Sequence, residues 1–229
     1  MPAKNRIKKY VENGYYHIYN RGVEKRIIFT DEQDYAVLLS YLKTYLTPKD
    51  TPSLQNILAS NSANSKEKAK AIKLLRMNNF FEHLNLLAFC LMPNHFHFLV
   101  NQREPEIIDK FMNSLGTRYS MYFNRKHNRV GPLFQGLYKA VLITSEEQLL
   151  YVSRYIHRNP ISKGPAFNNK YSSYPDFLGV RKTSWIKTNE ILSYFSKTGF
   201  SSYRSFVEDQ LHDEVSYPIL KDLKLEYEN

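Results

Sequence analysis

Leu91-Met92-Pro93-Asn94-His95-Phe96-His97-Phe98-Leu99-Val100 is the stretch on which the fold turns. Pro-Asn is a turn signal, and the Phe, Leu and Val that follow favour an extended chain. The stretch therefore reads as a tight connection feeding a strand. Side chains alternate across a strand, so His95 and His97 share one face while Phe96 and Phe98 share the other. A sheet can offer two nitrogen ligands to a metal ion in this way. The plainer reading is a half-buried strand whose polar face carries two histidines. A metal site needs a third or fourth ligand, so the rest of the chain decides between the two.

Working outward, Phe80 to Leu91 is an apolar run that reads as a buried central strand. It passes through Met92-Pro93-Asn94 into the histidine strand, which makes the two an antiparallel hairpin. Tyr15 to Tyr19 is rich in strand formers and stops at Asn20-Arg21-Gly22, a turn. Thr30 and Gln33 have capping-box spacing, and Tyr35, Leu38, Leu39, Leu42 and Leu46 recur at helical intervals up to Pro48. Thr47 to Asn64 reads as an exposed insertion with few apolar anchors, and Lys66 to Met77 as an extra basic helix with a solvated face. Glu106 to Arg125 is a second long helix, broken by Gly131-Pro132. Leu137 to Ile143 is a fourth strand. Ser145 caps a third helix, Glu146 to Asn159, which Pro160 terminates.

The order is β-α-β-β-α-β followed by a helix. That is an α+β chain of ferredoxin-like arrangement, an antiparallel sheet with helices on one face. Beyond Pro160 the pattern weakens: Ile161 to Lys170 reads as loop, Tyr171 to Phe177 as irregular, and Asn189 to Tyr194 and Ser202 to Leu211 as short helices. The expected division is a domain over 1–160, with its insertion at about 47–77, and an extension over 161–229 packed on it or appended to it.

At 229 residues, with 42% hydrophobic and 24% charged, the chain is globular rather than disordered. The charge of +10 favours a polyanion partner, nucleic acid first, although a basic protein without such a partner has the same arithmetic. Cys90 is the lone cysteine, which excludes an intramolecular disulfide and a Cys-based zinc site. Met1 to Tyr10 is basic with no apolar segment behind it, and no run approaches membrane-spanning length. The expectation is a soluble protein of a reducing compartment, with no membrane association. Aromatics reach 14%, mostly core, with some suited to stacking on bases beside the positive charge.

The third helix supplies more polar groups. Tyr151, Tyr155 and Asn159 are four apart and share a face, while Leu149, Val152 and Ile156 can pack on the core. Tyr155 offers a hydroxyl nucleophile and Asn159 an amide oxygen. If this helix lies across the histidine strand, Asn159 completes a metal site with His95 and His97. Two imidazoles and an amide oxygen suit Mg²⁺ or Mn²⁺, whereas Zn²⁺ more usually recruits a third His or a carboxylate. Against this, Asn159 precedes a proline and is biased away from helical dihedrals. Without the histidines, Tyr155 would read as an ordinary tyrosine at the core margin.

Pro93-Asn94-His95-Phe96-His97 resembles the histidine–hydrophobe–histidine motif of the HUH single-tyrosine transposases. Tyr155-Ile156-His157-Arg158-Asn159-Pro160 resembles their Tyr-x-x-x-Asn-Pro catalytic helix. Asn20-Arg21-Gly22, Tyr122-Phe123-Asn124-Arg125 and Gly131-Pro132-Leu133-Phe134-Gln135-Gly136 are similar to the same family, most of all to its REP-associated tyrosine transposases. The likeness runs from about Gly14 to Pro160, and several motifs in the right order make it specific. Gly136-Leu137-Tyr138-Lys139 departs from it, because many relatives have Gly-Arg there; that removes one phosphate contact.

The resemblance implies that Tyr155 attacks a phosphodiester of single-stranded DNA, leaving a 5′-phosphotyrosine and a free 3′-hydroxyl. It implies a divalent metal, Mg²⁺ or Mn²⁺, on His95, His97 and Asn159, and no ATP; the chain has no Walker-type loop. DNA, single-stranded and hairpin, is the implied partner, contacted by Arg21, Arg118, Arg125, Arg129, Lys139, Arg154 and Arg158, although each alone is more simply a solvated charge. The implied setting is the bacterial cytoplasm, associated with the nucleoid. Some relatives act as homodimers that share sites; a catalytic helix borrowed from a second copy would leave Tyr155 far from its own histidines. His157, on the opposite side of the helix, has no expected role. Tyr151 is the alternative nucleophile, followed by Tyr119 and Tyr122. Two other functions compete: a catalytically silent hairpin-DNA-binding protein, and an RNA-binding module using stacking aromatics on an open sheet face.

Overall fold

The computed structural model describes residues 10–161, 169–197, 199 and 201–209. Four strands form one antiparallel sheet: β1 (Tyr15–Arg21), β2 (Leu84–Met92), β3 (His95–Gln102) and β4 (Lys139–Ile143), in the order β2-β3-β1-β4. Helices α1 (Glu32–Leu46), α2 (Thr51–Ala59) and α3 (Ser65–Arg76) lie between β1 and β2. α4 (Ile107–Lys126) joins β3 to β4, and α5 (Glu146–Ile161) follows β4. Among the described residues, three short helices come last: α6 (Tyr174–Phe177), α7 (Asn189–Leu192) and α8 (Tyr203–Glu208). This is the α+β, ferredoxin-like arrangement expected from the element order.

The sheet has two differently covered faces. Ile18, Phe96, Phe98 and Val100 point to one, where they pack with Leu38 and Leu42 of α1 and Phe111 and Leu115 of α4. Leu99, Ala88, Cys90 and Met92 point to the other, beneath Val152 and Ile156 of α5 and residues of α6, α7 and α8. A bulge between Leu86 and Ala88 sets this division. One extra residue reverses the phase of a period-two pattern, so Leu84 and Leu86 and then Phe89 and Leu91 all reach the α1/α4 face.

The run read as a central strand is an edge strand, and it is buried because later chain seals it. Phe89 N–H donates to Ser173 Oγ (2.8 Å), Ser173 N–H to Phe89 O (2.9 Å), and Lys187 N–H to Leu86 O (2.9 Å). Covering an edge in this way removes its open hydrogen-bonding groups.

Three local expectations are corrected. Asp31, not Thr30, caps α1: its carboxylate accepts from Asp34 N–H (3.1 Å), and Thr30 instead donates to Asp34 Oδ2. The stretch from Thr47 to Asn64 contains α2, capped by Asp50 and burying no residue; its apolar stripe, Leu54, Ile57 and Leu58, is short and only half-buried. The basic helix forms as α3, with an Asn64/Glu67 capping box. Finally, α5 continues through Pro160 to Ile161. A proline in a last turn forfeits a ladder bond, and here the continuous burial of Val152, Ile156 and Pro160 outweighs that loss. The expected short helices appear as α7 and α8; the first nine residues, most of the Ile161–Lys170 loop and the end of the Ser202–Leu211 segment lie outside the described residues.

Candidate active site

Strand alternation and register place the histidines. His97 pairs with Tyr19 of β1 and Cys90 of β2, and His95 with Arg21 and Met92, so all six side chains belong to the α5-covered face. The two imidazole rings meet edge to face with centroids 5.1 Å apart. His97 is fully buried and His95 nearly so. His95 Nδ1 lies 2.7 Å from Asn94 Oδ1, and His97 Nδ1 lies 2.9 Å from Nε2 of His17 on β1. Burial, then the neighbouring His17 and His95, holds the His97 pKa well below the ordinary imidazole range, and burial lowers that of His17 to about 3. His97 and His17 are thus neutral near pH 7, the form in which imidazole binds metal.

The structure brings Tyr155 to these rings. Its phenol meets His97 edge-on at 5.3 Å and His17 at 5.9 Å between centroids. The side chain is half-buried. Burial raises the phenol's pKa above its ordinary value, and a hydrogen bond with the Asn159 side chain works the other way. Because α5 runs past Pro160, Asn159 remains on the helix, and its Nδ2 donates to Tyr155 O (3.1 Å). The other named tyrosines are engaged elsewhere. Tyr151 packs against Phe206 of α8, Tyr119 donates to Ile28 O beneath α4, and Tyr122 donates to Asp34.

Two imidazoles, with the Asn159 amide on the helix that brings Tyr155 to His97, are donor types that fit a borderline divalent ion. Among the described residues, no group of three or more His, Cys, Asp and Glu side chains is arranged to hold a metal. A third donor for a metal on His95 and His97 would have to be an amide or a substrate atom. Cys90, beside His97, is buried with its thiol pKa pushed up, which keeps it protonated.

The expected phosphate contacts separate into groups. Arg21 and Lys139 pair in register with His95 and Tyr19, so they flank the histidine face at one end of the sheet; Arg21 Nε donates to Gln135 Oε1 (2.5 Å). Arg158, next to Asn159, is half-buried and donates to Asp209 O (3.4 Å). Arg154 is 2% exposed, and its guanidinium donates to Phe206 O and Asp209 O (both 2.6 Å), tying α5 to the end of α8. Arg118, Arg125 and Arg129 belong to α4 and the turn after it, on the opposite side of the sheet. Arg118 stacks on Tyr41 at 4.1 Å, Arg129 donates to Asn124, and Arg125 is exposed.

Sequence reasoning missed His17 and Tyr19, whose rings both contact His97. Alternation in Tyr15–Tyr19 already puts them on one face; only the pairing of β1 with β3 shows that it is the histidine face. His157, expected to have no role, is buried between Tyr203 OH (2.6 Å) and Ser173 Oγ (2.7 Å).

Residues 60–159 match the family model described as IS200-like transposase. It is the family that the motifs resemble, and the matched segment spans His95, His97, Tyr155 and Asn159. Among solved structures, the chain is similar to a REP-associated tyrosine transposase bound to a REP hairpin: 11% identity, TM-score 0.46, covering 87% of this chain and 96% of that one. It is also similar to a candidate transposase from Deinococcus radiodurans R1: 16% identity, TM-score 0.27, covering 68% and 95%. Scores this low carry no functional weight. No curated protein matches the chain. Among the described residues, no helix is long and apolar enough to cross a membrane.

Proposed function

We propose that this chain is a metal-dependent, single-tyrosine transposase of the IS200-like kind, cleaving and rejoining single-stranded DNA next to hairpins. The observation that carries the reading is the contact of Tyr155 with His97 of the same chain. Nucleophile and metal-ligand candidates meet without a residue from a second copy, whether or not the protein dimerises.

In this reading the Tyr155 oxygen attacks phosphorus and the bond to the 3′-oxygen breaks. The products are a 5′-phosphotyrosine and a strand ending in a 3′-hydroxyl, which takes up a proton as the phenol gives one up. A divalent ion, Mg²⁺ or Mn²⁺, on His95, His97 and Asn159 would supply Lewis-acid stabilisation of the charge on the phosphate. Arg21 and Lys139 add positive charge at the same end of the face. Helix α5 holds the phenol in place, and its burial favours the protonated hydroxyl. A 3′-hydroxyl can reverse the attack, so strands are exchanged with no ATP. Cytoplasmic, nucleoid-associated action would follow from the substrate. The part of the chain proposed as the catalytic domain is 1–160, with 161–229 as its extension.

One observation favours the silent DNA-binding alternative: Tyr155 is half-buried with a raised pKa. The RNA-module reading requires an open sheet face, and helices cover both faces here. Labelled hairpin DNA from the flanks of the gene, incubated with Mg²⁺ or Mn²⁺, separates the remaining two. A covalent protein–DNA adduct in the wild type, absent in Tyr155→Phe, supports transesterification. An adduct that persists in the mutant moves the nucleophile, and binding without an adduct under every metal supports the silent protein.

A further inference from the structure

Metal binding by an imidazole depends on which ring nitrogen carries the proton, because only the other has a lone pair to give. Two side chains outside the ligand set address this question. Asn94 Nδ2 donates to Lys25 O (3.3 Å), which turns its carbonyl oxygen toward His95 Nδ1 at 2.7 Å. An amide oxygen can only accept, so His95 must carry a proton on Nδ1, and in the neutral ring the lone pair is then on Nε2.

His97 Nδ1 faces His17 Nε2 at 2.9 Å, and this bond runs in one of two directions. If His17 donates, the His97 proton lies on Nε2 and the ring has no lone pair for a metal there. If His97 donates, its Nε2 is the ligand, and the His17 proton must lie on Nδ1. His17 Nδ1 is buried with no hydrogen-bond partner among the described residues, so it goes unmatched in either direction, as a bare acceptor in the first and as an N–H in the second. A fully buried imidazole with one nitrogen unmatched is unfavourable in a strand that apolar residues could fill. Its other nitrogen spends its one bond on His97, which is what an orienting partner would do.

Resting on the metal reading above, we propose that Asn94 and His17 are positioning residues for the histidine pair. Each accepts the Nδ1–H of one imidazole and so presents both Nε2 lone pairs on the same face. Asn94 does so on the turn that opens β3, and His17 from the neighbouring strand. Two different neighbours thereby impose the same protonation pattern on His95 and His97.

Long-range ¹H–¹⁵N spectra of the metal-free full chain test this directly, since they report the tautomer without metal or activity. His95, His97 and His17 are all expected as Nδ1–H. Mn²⁺ titration followed by electron paramagnetic resonance then reads affinity. Asn94→Ala and His17→Leu should each weaken Mn²⁺ binding by about tenfold or more. Asn94→Asp and His17→Gln retain an acceptor and should bring affinity back to within a few-fold of the wild type, which a merely structural role would not predict. An Nε2–H form of His95 or His97 in the metal-free wild type overturns the inference, and so does undiminished Mn²⁺ binding in a folded His17→Leu. A wild type with the expected tautomers and no Mn²⁺ uptake overturns the metal reading instead, and this inference with it.

Discussion

The two faces of the sheet are built from the same four strands and do opposite things. Beneath α1 and α4 the interior is almost wholly apolar or locally satisfied: Phe98, Phe111 and Leu42 pack there, and Tyr45 and Tyr119 bond to Ser114 and to Ile28 O. Beneath α5 the same depth holds His17, His97, His157, Ser153 and Ser173, linked by hydrogen bonds among themselves and to Tyr203. Apolar contact is non-directional and tolerates small adjustments, whereas each buried polar atom requires a partner at a fixed distance. The first face holds the sheet together; the second fixes where individual atoms stand.

The contrast can be broken most completely at Tyr155. Tyr155→Phe removes one oxygen from the polar face and should abolish the DNA adduct, while thermal unfolding stays close to wild type. Phe111→Ala does the reverse on the apolar face. It should cost about 3–5 kcal/mol in urea denaturation, with any residual activity proportional to the folded fraction.

Acid should also tell the faces apart. His17 and His157 have pKa values near 3, lowered by burial and for His157 also by Arg181, against 6.5 for an unperturbed imidazole. The native state therefore binds fewer protons than the unfolded state between these values. Their contribution is full above about pH 6.5 and declines as pH falls toward 3. Melting temperature measured from pH 7 to pH 4 should fall, and His157→Gln should flatten that slope.

The smallest expected effects separate the cations. Arg154→Ala should destabilise by about 1–3 kcal/mol, since it strips a donor from two carbonyls, and leave the salt dependence of DNA binding unchanged. Arg21→Ala or Lys139→Ala should leave the melting temperature alone and lower the log–log salt slope for single-stranded DNA by about 0.7 each. A salt slope that shifts with Arg154 instead would mean that its buried placement is not the one used on DNA.

Much of this was readable in the chain. The hairpin, the shared face of His95 and His97, the four-residue spacing of Tyr155 and Asn159 and the βαββαβ order follow from periods of two and 3.6 and from turn residues. These are local properties, set by backbone sterics within a few residues. What local pattern could not show was partnership. His17 is 80 residues from His97, and nothing in Tyr15–Tyr19 says which strand it pairs with. Arg154 and Arg21 are equally basic as letters, yet one is buried against Phe206 O and the other borders the histidines. The edge position of β2, its cover from Ser173 and Lys187, and the packing of Tyr155 on His97 while Tyr151 packs on Phe206 are likewise long-range facts. Periodicity determined which side chains share a face; only strand order, register and helix docking decided which faces meet, because those depend on burial summed over the whole fold.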